Sequence, residues 1–268
     1  MSIRLALLAL VLVVLTACAT SPTGRHQLLM VSDSEVRQMG LATFQQMKRT
    51  DKLSTDAGKR RSADCIVTAL VTQLPEQWQS LDWEVQVFAI DSANAFALPG
   101  GKVGLNTGLF RVATNQDQLA AVIGHEIGHV IARHSNERLS QTMLADLGTN
   151  LAGAYLGRNA SPAQVNQLVA LLGAGAQVGV LLPYSRLQES EADAIGQSLM
   201  AKAGFDPRQA ATLWENMIRV SHGGTSPARL LSTHPEPAQR ARVLAQNAPA
   251  LMPAYQAAIA AGRKPNCR

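Results

Sequence analysis

The sequence has few aromatic residues and few charged ones. Phe, Trp and Tyr account for 4% of its 268 residues, and Asp, Glu, Lys and Arg for 16%. The formal net charge is +5, but the longest basic run is only Lys59-Arg60-Arg61. A nucleic-acid interface needs a clustered basic face or aromatic side chains that stack on bases, and neither is visible. We therefore expect no nucleic-acid partner.

Long hydrophobic runs are also scarce. The apolar run over residues 5–15 is too short to span a bilayer comfortably, and with a preceding basic residue it is typical of a secretory signal peptide. It ends in Leu15-Thr16-Ala17-Cys18, which resembles the bacterial lipobox, where cleavage exposes a cysteine that becomes lipid-bearing. We expect a signal peptide over 1–17, lipidation of Cys18, an unstructured tether over 18–30, and a location on the periplasmic side of the outer membrane. An ordinary signal peptide with an incidental cysteine is the alternative.

Cysteine is rare, with three residues in the chain. Lipidation of Cys18 would leave Cys65 and Cys267 as an even pair in an oxidising compartment. Two cysteines at nearly opposite ends of the mature chain do not by themselves establish a bridge. A disulfide and two unpaired thiols are therefore equal alternatives.

An HExxH motif within Ile123–Val130 carries the clearest chemistry. In a helix of 3.6 residues per turn, His125 and His129 share a face, so both imidazoles reach one point beside the helix, where we expect zinc. Glu126 is rotated by about 100° from His125, which suits a base that acts on water better than a ligand. His134 lies half a turn out of line with His125, and we interpret it as structural.

A second polar stretch, further along the chain, offers the missing ligand. A catalytic zinc site uses three protein ligands and keeps a position open for water. Glu189 and Asp193 share a predicted helical face, so one can bind the metal while the other orients a histidine. Tyr184 and Arg186 precede them, and His234 stands before a proline-initiated helix. Any of these last three side chains would be placed to stabilise an oxyanion.

Hydrophobic periodicity predicts an α+β fold that is mostly helical, with a small antiparallel sheet beside the HExxH helix. The predicted strands cover 83–89, 94–98 and 102–106, and the predicted helices cover 34–49, 57–74, a helix opened by 115–118, 137–156 and 162–182. Polar residues interrupt the apolar helix over 162–182, which favours burial over a membrane span. We expect one domain over 31–250 and a loose tail over 251–268.

Several of these stretches together resemble a known zinc metallopeptidase family. They are Asn94–Gly101, the HExxH motif, Glu189 with Ala192-Asp193, and Thr233-His234-Pro235 with Arg240. The family includes the bacterial heat-shock protease HtpX, the mitochondrial Oma protease and the CAAX prenyl proteases. Its small periplasmic lipoprotein and beta-barrel assembly-enhancing members are closest in layout. The resemblance implies a zincin-like (gluzincin) domain.

The resemblance also implies roles for individual residues. The implied ligands of one zinc ion per chain are His125, His129 and Glu189. Glu126 would be the base, and Asp193 would lie behind the ligands. Apart from the resemblance, we expect Arg186 to be a further supporting residue. His234 would lie near the metal, where it steadies the oxyanion or, as a fourth ligand, holds the enzyme inactive.

We therefore expect a zinc-dependent endopeptidase that cleaves misfolded or stalled envelope proteins in the periplasm. Its partners would be unfolded or misassembled envelope proteins and, through the lipid anchor, the outer membrane. Two other functions stay open: a chaperone-like protein that binds clients and has a gated metal site, and a zinc hydrolase of cell-wall peptides. The predicted sheet favours the protease, because a sheet edge can bind an extended chain through main-chain hydrogen bonds.

Overall fold

The computed structural model describes residues 18–156, 182–223, 234 and 236–267. The predicted signal peptide over 1–17 and almost all of the predicted helix over 162–182 lie outside these residues. The described residues form two compact units. The smaller unit lies within Met1–Val36 and Arg133–Gln188, and the larger one within Arg37–Ala132 and Glu189–Arg268.

The expected domain over 31–250 includes parts of both units. The chain leaves the larger unit just after the HExxH helix and returns to it at Glu189. Arg133, the first residue of this excursion, has a left-handed backbone conformation with φ 56°. The two halves of the larger unit are thus separated in sequence, which hydrophobic periodicity along the chain does not reveal.

Helices dominate the described residues. They are α1 (Asp33–Thr50), α2 (Ala57–Val71), α3 (Glu76–Gln79), α4 (Gln116–Ile131), α5 (His134–Leu156), α6 (Leu182–Ala203), α7 (Gln209–Gly223) and α8 (Pro237–Ala260), with a short 3-10 helix at Thr107–Arg111. The predicted bounds of α1, α2 and α5 agree with these to within three residues at each end. The mostly helical α+β class is therefore confirmed.

In the smaller unit, the segment expected to be an unstructured tether forms an antiparallel hairpin. β1 (Cys18–Thr20) pairs with β2 (His26–Leu28), and β2 packs against α5. Arg25 donates two hydrogen bonds to the Glu137 carboxylate, at 2.6 and 2.7 Å, and Gln27 donates a third at 3.2 Å. The tether prediction is wrong here, because polar side chains of the hairpin find a buried partner on a helix.

The larger unit contains a mixed three-stranded sheet. Its strands are β3 (Glu84–Phe88), β4 (Ala95–Leu98) and β5 (Lys102–Asn106), in the order β3-β5-β4. β4 and β5 run antiparallel around a turn in which Gly100 and Gly101 have φ values of 91° and 82°. β3 and β5 run parallel, so the sheet is not wholly antiparallel as expected. The reason is that β5 returns into the space between β3 and β4.

The core of the larger unit positions the HExxH helix. α4 packs against α2, α7 and β4. Its Ile123 and Ile127 are fully buried, together with Leu213 and Met217 of α7. Burial on several sides fixes both the location and the rotation of α4. No helix of the described residues is long and apolar enough to cross a membrane.

The end of the chain is folded rather than loose. α8 continues past the predicted boundary at 250, and Cys267 is buried and disulfide-bonded to Cys65 of α2. The side chain of Gln116, at the start of α4, accepts a hydrogen bond from the Cys267 backbone N–H at 2.8 Å and donates one to the Pro265 carbonyl at 2.9 Å. The tail prediction over 251–268 is wrong, because a covalent bond and polar contacts hold a segment that lacks an apolar pattern. Of the two cysteine alternatives, the disulfide is the one formed.

Candidate metal centre and active site

Helix α4 presents both motif histidines on one face. Asn115 caps the helix, since its side-chain oxygen accepts a hydrogen bond from the first turn at 2.9 Å. The opposite face is anchored in the core through Ile123 and Ile127. The Nε2 atoms of His125 and His129 lie 3.0 Å apart. The two imidazoles therefore converge on one point, as the spacing predicts.

Three glycines let α6 approach α4 closely. A Cβ atom added to Gly196 would lie 2.6 Å from the backbone nitrogen of His125. One added to Gly128 would lie 2.8 Å from the carbonyl oxygen of Ala192, and one added to Gly124 would lie 3.1 Å from that of Gly196. Only glycine allows two helix backbones to come so near without displacement. This approach brings the carboxylates of α6 to the histidines of α4.

Four side chains bring possible metal donors together. One ligand atom from each of His125, His129, Glu189 and His234 lies within 4.8 Å of the others. The Nε2 atoms of His125 and His129 lie 3.3 and 3.5 Å from oxygens of the Glu189 carboxylate. Donors around a tetrahedral zinc ion, with bonds of about 2.0–2.2 Å, lie about 3.3–3.6 Å from one another. The donor types and the two histidine–glutamate distances therefore fit zinc, and the 3.0 Å between the two histidine nitrogens is shorter by a few tenths of an ångström.

Unpaired oxygens and the charge of the site support the same ion. Within the described residues, Oε1 of Glu126 and Oε1 of Glu189 are buried without a hydrogen-bond partner. Such atoms are costly unless a ligand supplies the missing interaction. Glu126, Glu189 and Asp193 bring three negative charges into this buried site, and Arg240 brings one positive charge. Because imidazoles that bind a metal ion are neutral, a divalent cation would supply the other two.

Asp193 supports His125 from behind. Its Oδ1 atom lies 3.0 Å from Nδ1 of His125, on the side of the ring away from the other donors. Arg240 of α8 binds the same carboxylate through Nε at 2.7 Å and Nη2 at 2.6 Å. Its Nη1 atom lies 2.9 Å from Oε2 of Glu189. The spacing left open which of the two α6 carboxylates is the ligand. Of the two, Glu189 is the one that lies in the cluster of four donors.

Sequence reasoning missed Trp214 and gave Arg240 no role beyond membership of a motif. The Arg240 guanidinium carbon lies 3.8 Å from the centroid of the Trp214 ring. The ring centroid of His125 lies 6.4 Å from the same aromatic ring. Trp214 stands on the buried face of α7, as any core residue would. No local pattern could distinguish it from its neighbours.

Glu126 and His234 lie beside each other at the cluster. Nε2 of His234 is 3.5 Å from Oε1 of Glu126. Nδ1 of His234 is 2.8 Å from Oε2 of Glu189 and 3.2 Å from Nε2 of His125. His234 therefore stands among the donors, where a fourth ligand would be.

The protonation equilibria show that the cluster favours positive charge. Burial and a nearby arginine lower the pKa of His125, but hydrogen bonds with Asp193 and Glu189 outweigh them and raise it to about 9. Burial raises the pKa of Glu189, yet hydrogen bonds with His125 and His234 hold it well below its usual range. The raised pKa of His125 and the lowered pKa of Glu189 have the same cause, an excess of buried carboxylates. A bound divalent cation would satisfy that excess.

The other predicted residues lie elsewhere. Arg186 is an exposed residue of α6 within the smaller unit, so the support predicted for it stays a prediction. Tyr184 also belongs to α6, and its side chain is outside the described part of the structure. His134 is buried at the start of α5 and is not one of the four clustered donors. Cys18 lies in β1.

The fold and the site together define a class of protein. A mostly helical α+β chain, with an HExxH helix and a downstream glutamate among the donors, is a zincin-like metallopeptidase by its architecture. The sequence model of peptidase family M48 matches residues 59–248, which is more than half of the chain. The chain belongs to peptidase family M48, and the resemblance inferred from its motifs is confirmed.

Curated relatives agree with this assignment. The mitochondrial metalloendopeptidase OMA1 of Arabidopsis thaliana is 35% identical over 220 residues, which cover 81% of this chain and 42% of that protein. The OMA1 of Schizosaccharomyces pombe is 40% identical over 162 residues, covering 60% and 45%. The beta-barrel assembly-enhancing protease of Escherichia coli K12 is 37% identical over 154 residues, covering 56% and 31%. The chain spans less than half the length of each of these relatives.

Proposed function

We propose that the protein is a zinc-dependent endopeptidase. The observation that carries the proposal is the cluster of four donors with the buried, unpaired oxygen of Glu126 beside it. The arrangement combines a metal site with a proton acceptor, which is what metal-assisted hydrolysis of a peptide bond needs. The names of the relatives, metalloendopeptidase and protease, support it.

In this proposal His125, His129 and Glu189 hold the zinc ion. When bound, zinc supplies Lewis-acid chemistry, polarising a carbonyl and making water more acidic. Glu126 accepts the proton of the attacking water and then donates it to the leaving amine. Burial raises the pKa of Glu126, although His234 and His125 act in the opposite direction. A raised pKa suits a carboxyl group that must both accept and release a proton near neutral pH.

His234 would restrain the enzyme in the conformation described here. Its imidazole belongs to the donor cluster, with Nδ1 3.2 Å from Nε2 of His125, so as a fourth ligand it would take the position that a catalytic zinc site leaves open for water. A substrate would then have to displace His234 before cleavage. The alternative role, stabilisation of the oxyanion, predicts that loss of this imidazole slows cleavage rather than speeding it.

The test measures zinc content and cleavage of an unfolded protein such as casein. We expect wild type to bind one zinc ion and to cut casein, and Glu126→Gln to keep the zinc while losing cleavage. His234→Ala should cut faster if the imidazole restrains the site. Undiminished cleavage by Glu126→Gln would overturn the proposal. Cleavage of a cell-wall peptide with casein spared would support the cell-wall hydrolase instead.

We also propose that the enzyme acts on misfolded or stalled proteins of the bacterial envelope, anchored by lipid at Cys18. The lipobox-like sequence before Cys18 supports the anchor. The disulfide between Cys65 and Cys267 supports an oxidising compartment. One relative is named a beta-barrel assembly-enhancing protease. In bacteria fed labelled fatty acid, we expect the label in wild type and not in Cys18→Ala, and equal labelling would overturn the anchor.

A further inference from the structure

We propose that Trp214 and Arg240 form a positioning pair that sets the tautomer and orientation of His125 through Asp193, and thereby tunes metal affinity. The inference rests on the proposed zinc site and assigns roles to two residues that touch no substrate. It concerns four helices, since α7 carries Trp214, α8 carries Arg240, α6 carries Asp193 and α4 carries His125.

The first step is the two-bond salt bridge between Arg240 and Asp193. Two separate guanidinium nitrogens, Nε and Nη2, donate to the two carboxylate oxygens at 2.7 and 2.6 Å. Such a planar, two-bond contact fixes the plane of the carboxylate as well as its position. A lysine could supply the charge but not this geometry. Asp193 is buried, so water does not compete for its oxygens.

The second step is the effect of Asp193 on His125. Nη2 of Arg240 also lies 3.0 Å from Nδ1, but this nitrogen donates to the Asp193 carboxylate at the shorter distance of 2.6 Å. The fixed carboxylate, 3.0 Å from Nδ1, therefore favours the tautomer in which Nδ1 carries the hydrogen and donates it. The lone pair is then on Nε2, which faces His129 and Glu189. Only a nitrogen with a free lone pair can bind a metal ion. The orientation of Asp193 therefore decides which ring nitrogen of His125 is available.

The third step is the aromatic surface behind Arg240. The guanidinium group lies over the Trp214 ring at 3.8 Å, and both residues are buried. A cation held against an aromatic face out of water is bound more firmly than at an exposed site. Trp214 thus holds the Arg240 guanidinium group in the position from which Nε and Nη2 donate to Asp193. α7 itself packs against both α8 and α4.

The test compares zinc dissociation constants, measured by competition with a chelator, for wild type, Arg240→Lys, Trp214→Phe and Trp214→Leu. We expect Arg240→Lys to weaken zinc binding by about 10–100-fold, the usual effect of losing an outer partner. Trp214→Leu should weaken it by a smaller factor, and Trp214→Phe, which retains an aromatic face, by the least. The matched control is Arg208→Lys, because Arg208 makes a similar contact with Asp206 at the surface. It should bind zinc as wild type does.

A double-mutant cycle separates positioning from general loss of structure. If Arg240 acts through Asp193, Arg240→Lys should weaken zinc binding by less than about twofold in an Asp193→Asn background. Histidine-selective ¹⁵N NMR of the zinc-loaded protein should show a strongly hydrogen-bonded Nδ1–H for His125 in wild type, and the resonance of that hydrogen should shift upfield in Arg240→Lys as its hydrogen bond to Asp193 weakens. Thermal unfolding in chelator identifies any variant that fails to fold, in which case the conservative Trp214→Phe carries the test.

The outcomes distinguish this inference from the proposed function. Absence of zinc binding in wild type would overturn both. Zinc binding by wild type, with an unchanged dissociation constant and an unchanged His125 signal in Arg240→Lys, would overturn the positioning pair alone. Losses that multiply fully in the Arg240→Lys, Asp193→Asn double variant would show that Arg240 acts by a route other than Asp193, which also overturns it.

Discussion

Two buried glutamates, Glu137 in the smaller unit and Glu189 in the larger one, have contrasting environments. Glu137 accepts four hydrogen bonds, at 2.6 and 2.7 Å from Arg25, at 3.2 Å from Gln27 and at 2.8 Å from Gln188. Both of its oxygens are paired. Oε2 of Glu189 lies 2.8 Å from His234, but Oε1 is buried without a hydrogen-bond partner among the described residues.

The contrast is between a carboxylate whose oxygens are all hydrogen-bonded and one that keeps an oxygen without a hydrogen-bond partner. The first, next to an arginine, joins two elements and has no free oxygen for a ligand. The second, among imidazoles, has a lone pair with which it would bind an ion in the proposed zinc site. Burial and an arginine neighbour, which the two residues share, do not distinguish them. The unpaired oxygen does.

Of the changes that test this comparison, replacement of Glu189 should have the largest effect, a loss of zinc affinity. Glu189→Gln keeps the size of the side chain but removes the charge that binds the metal, so zinc affinity should fall by more than the about 10–100-fold that loss of an outer partner costs. Casein cleavage should disappear with it. Glu137→Gln is the matched control and should bind zinc normally. Equal zinc affinities for the two variants in chelator competition would refute the assignment of Glu189 as a ligand.

Separation of α4 from α6 should have the next largest effect. In Gly196→Ala the new Cβ would lie 2.6 Å from the backbone nitrogen of His125, so the helices must move apart. We expect a loss of stability of about 1–3 kcal/mol and zinc affinity reduced by about tenfold. Gly58→Ala is the control, since its Cβ meets only the side chain of Asp56. Thermal unfolding and zinc titration of both variants test this, and an unaltered Gly196→Ala protein would contradict it.

Removal of the fully hydrogen-bonded carboxylate of Glu137 should lower the stability of the fold without changing zinc affinity. Glu137→Ala deletes the acceptor of four hydrogen bonds, two of them from Arg25. We expect a loss of about 1–3 kcal/mol, localised at the hairpin. Hydrogen exchange should report it at Met30, whose backbone N–H donates to Ser140 at 2.8 Å. A change in zinc affinity without faster exchange at Met30 would reverse the roles of the two glutamates.

Acidification should have the smallest effect, a partial loss of the stability that Glu137 contributes to the smaller unit. Burial raises the pKa of Glu137, but hydrogen bonds from Arg25 and Gln188 outweigh it and lower the pKa below its ordinary value of 4.5. A lowered pKa in the folded state stabilises the fold above the unfolded-state pKa, and this stabilisation is lost as pH falls through the folded-state pKa. The protection factor of the Met30 amide, which is its exchange rate relative to the intrinsic rate at the same pH, should therefore fall less on acidification in Glu137→Gln than in wild type. Parallel pH profiles would show that Glu137 contributes no such stabilisation.

The predictable part of the site is the part that local geometry determines. The spacing of His125 and His129 on a single helix is enough to place both imidazoles at one point. Glu189 was a harder prediction, because Asp193 shares its helical face and only the approach of α6 to α4 decides between them. Trp214 could not be predicted, since its position next to the guanidinium group depends on how α7 packs against α8.

The less successful predictions concerned segments held by contacts distant in sequence. The tether over 18–30 contains Pro22 and Gly24, and the tail over 251–268 contains Pro253, Gly262 and Pro265, which are typical of loose chain. The structure binds the first through Glu137 and the second through Cys65 and Gln116. The mixed sheet belongs here too, because strand order depends on which strands meet and not on their alternation.

The sequence by itself determined the chemistry of this protein: the HExxH helix, the candidate carboxylates and the family to which they point. These follow from residue type and helical period, which act over a few residues. Only the tertiary structure decided that Glu189 faces the donors while Asp193 supports His125, that His234 stands among the donors, and that Arg240 is held between Asp193 and Trp214. Those relations join helices far apart in the chain, and they exist because glycine contacts and core packing bring the helices together.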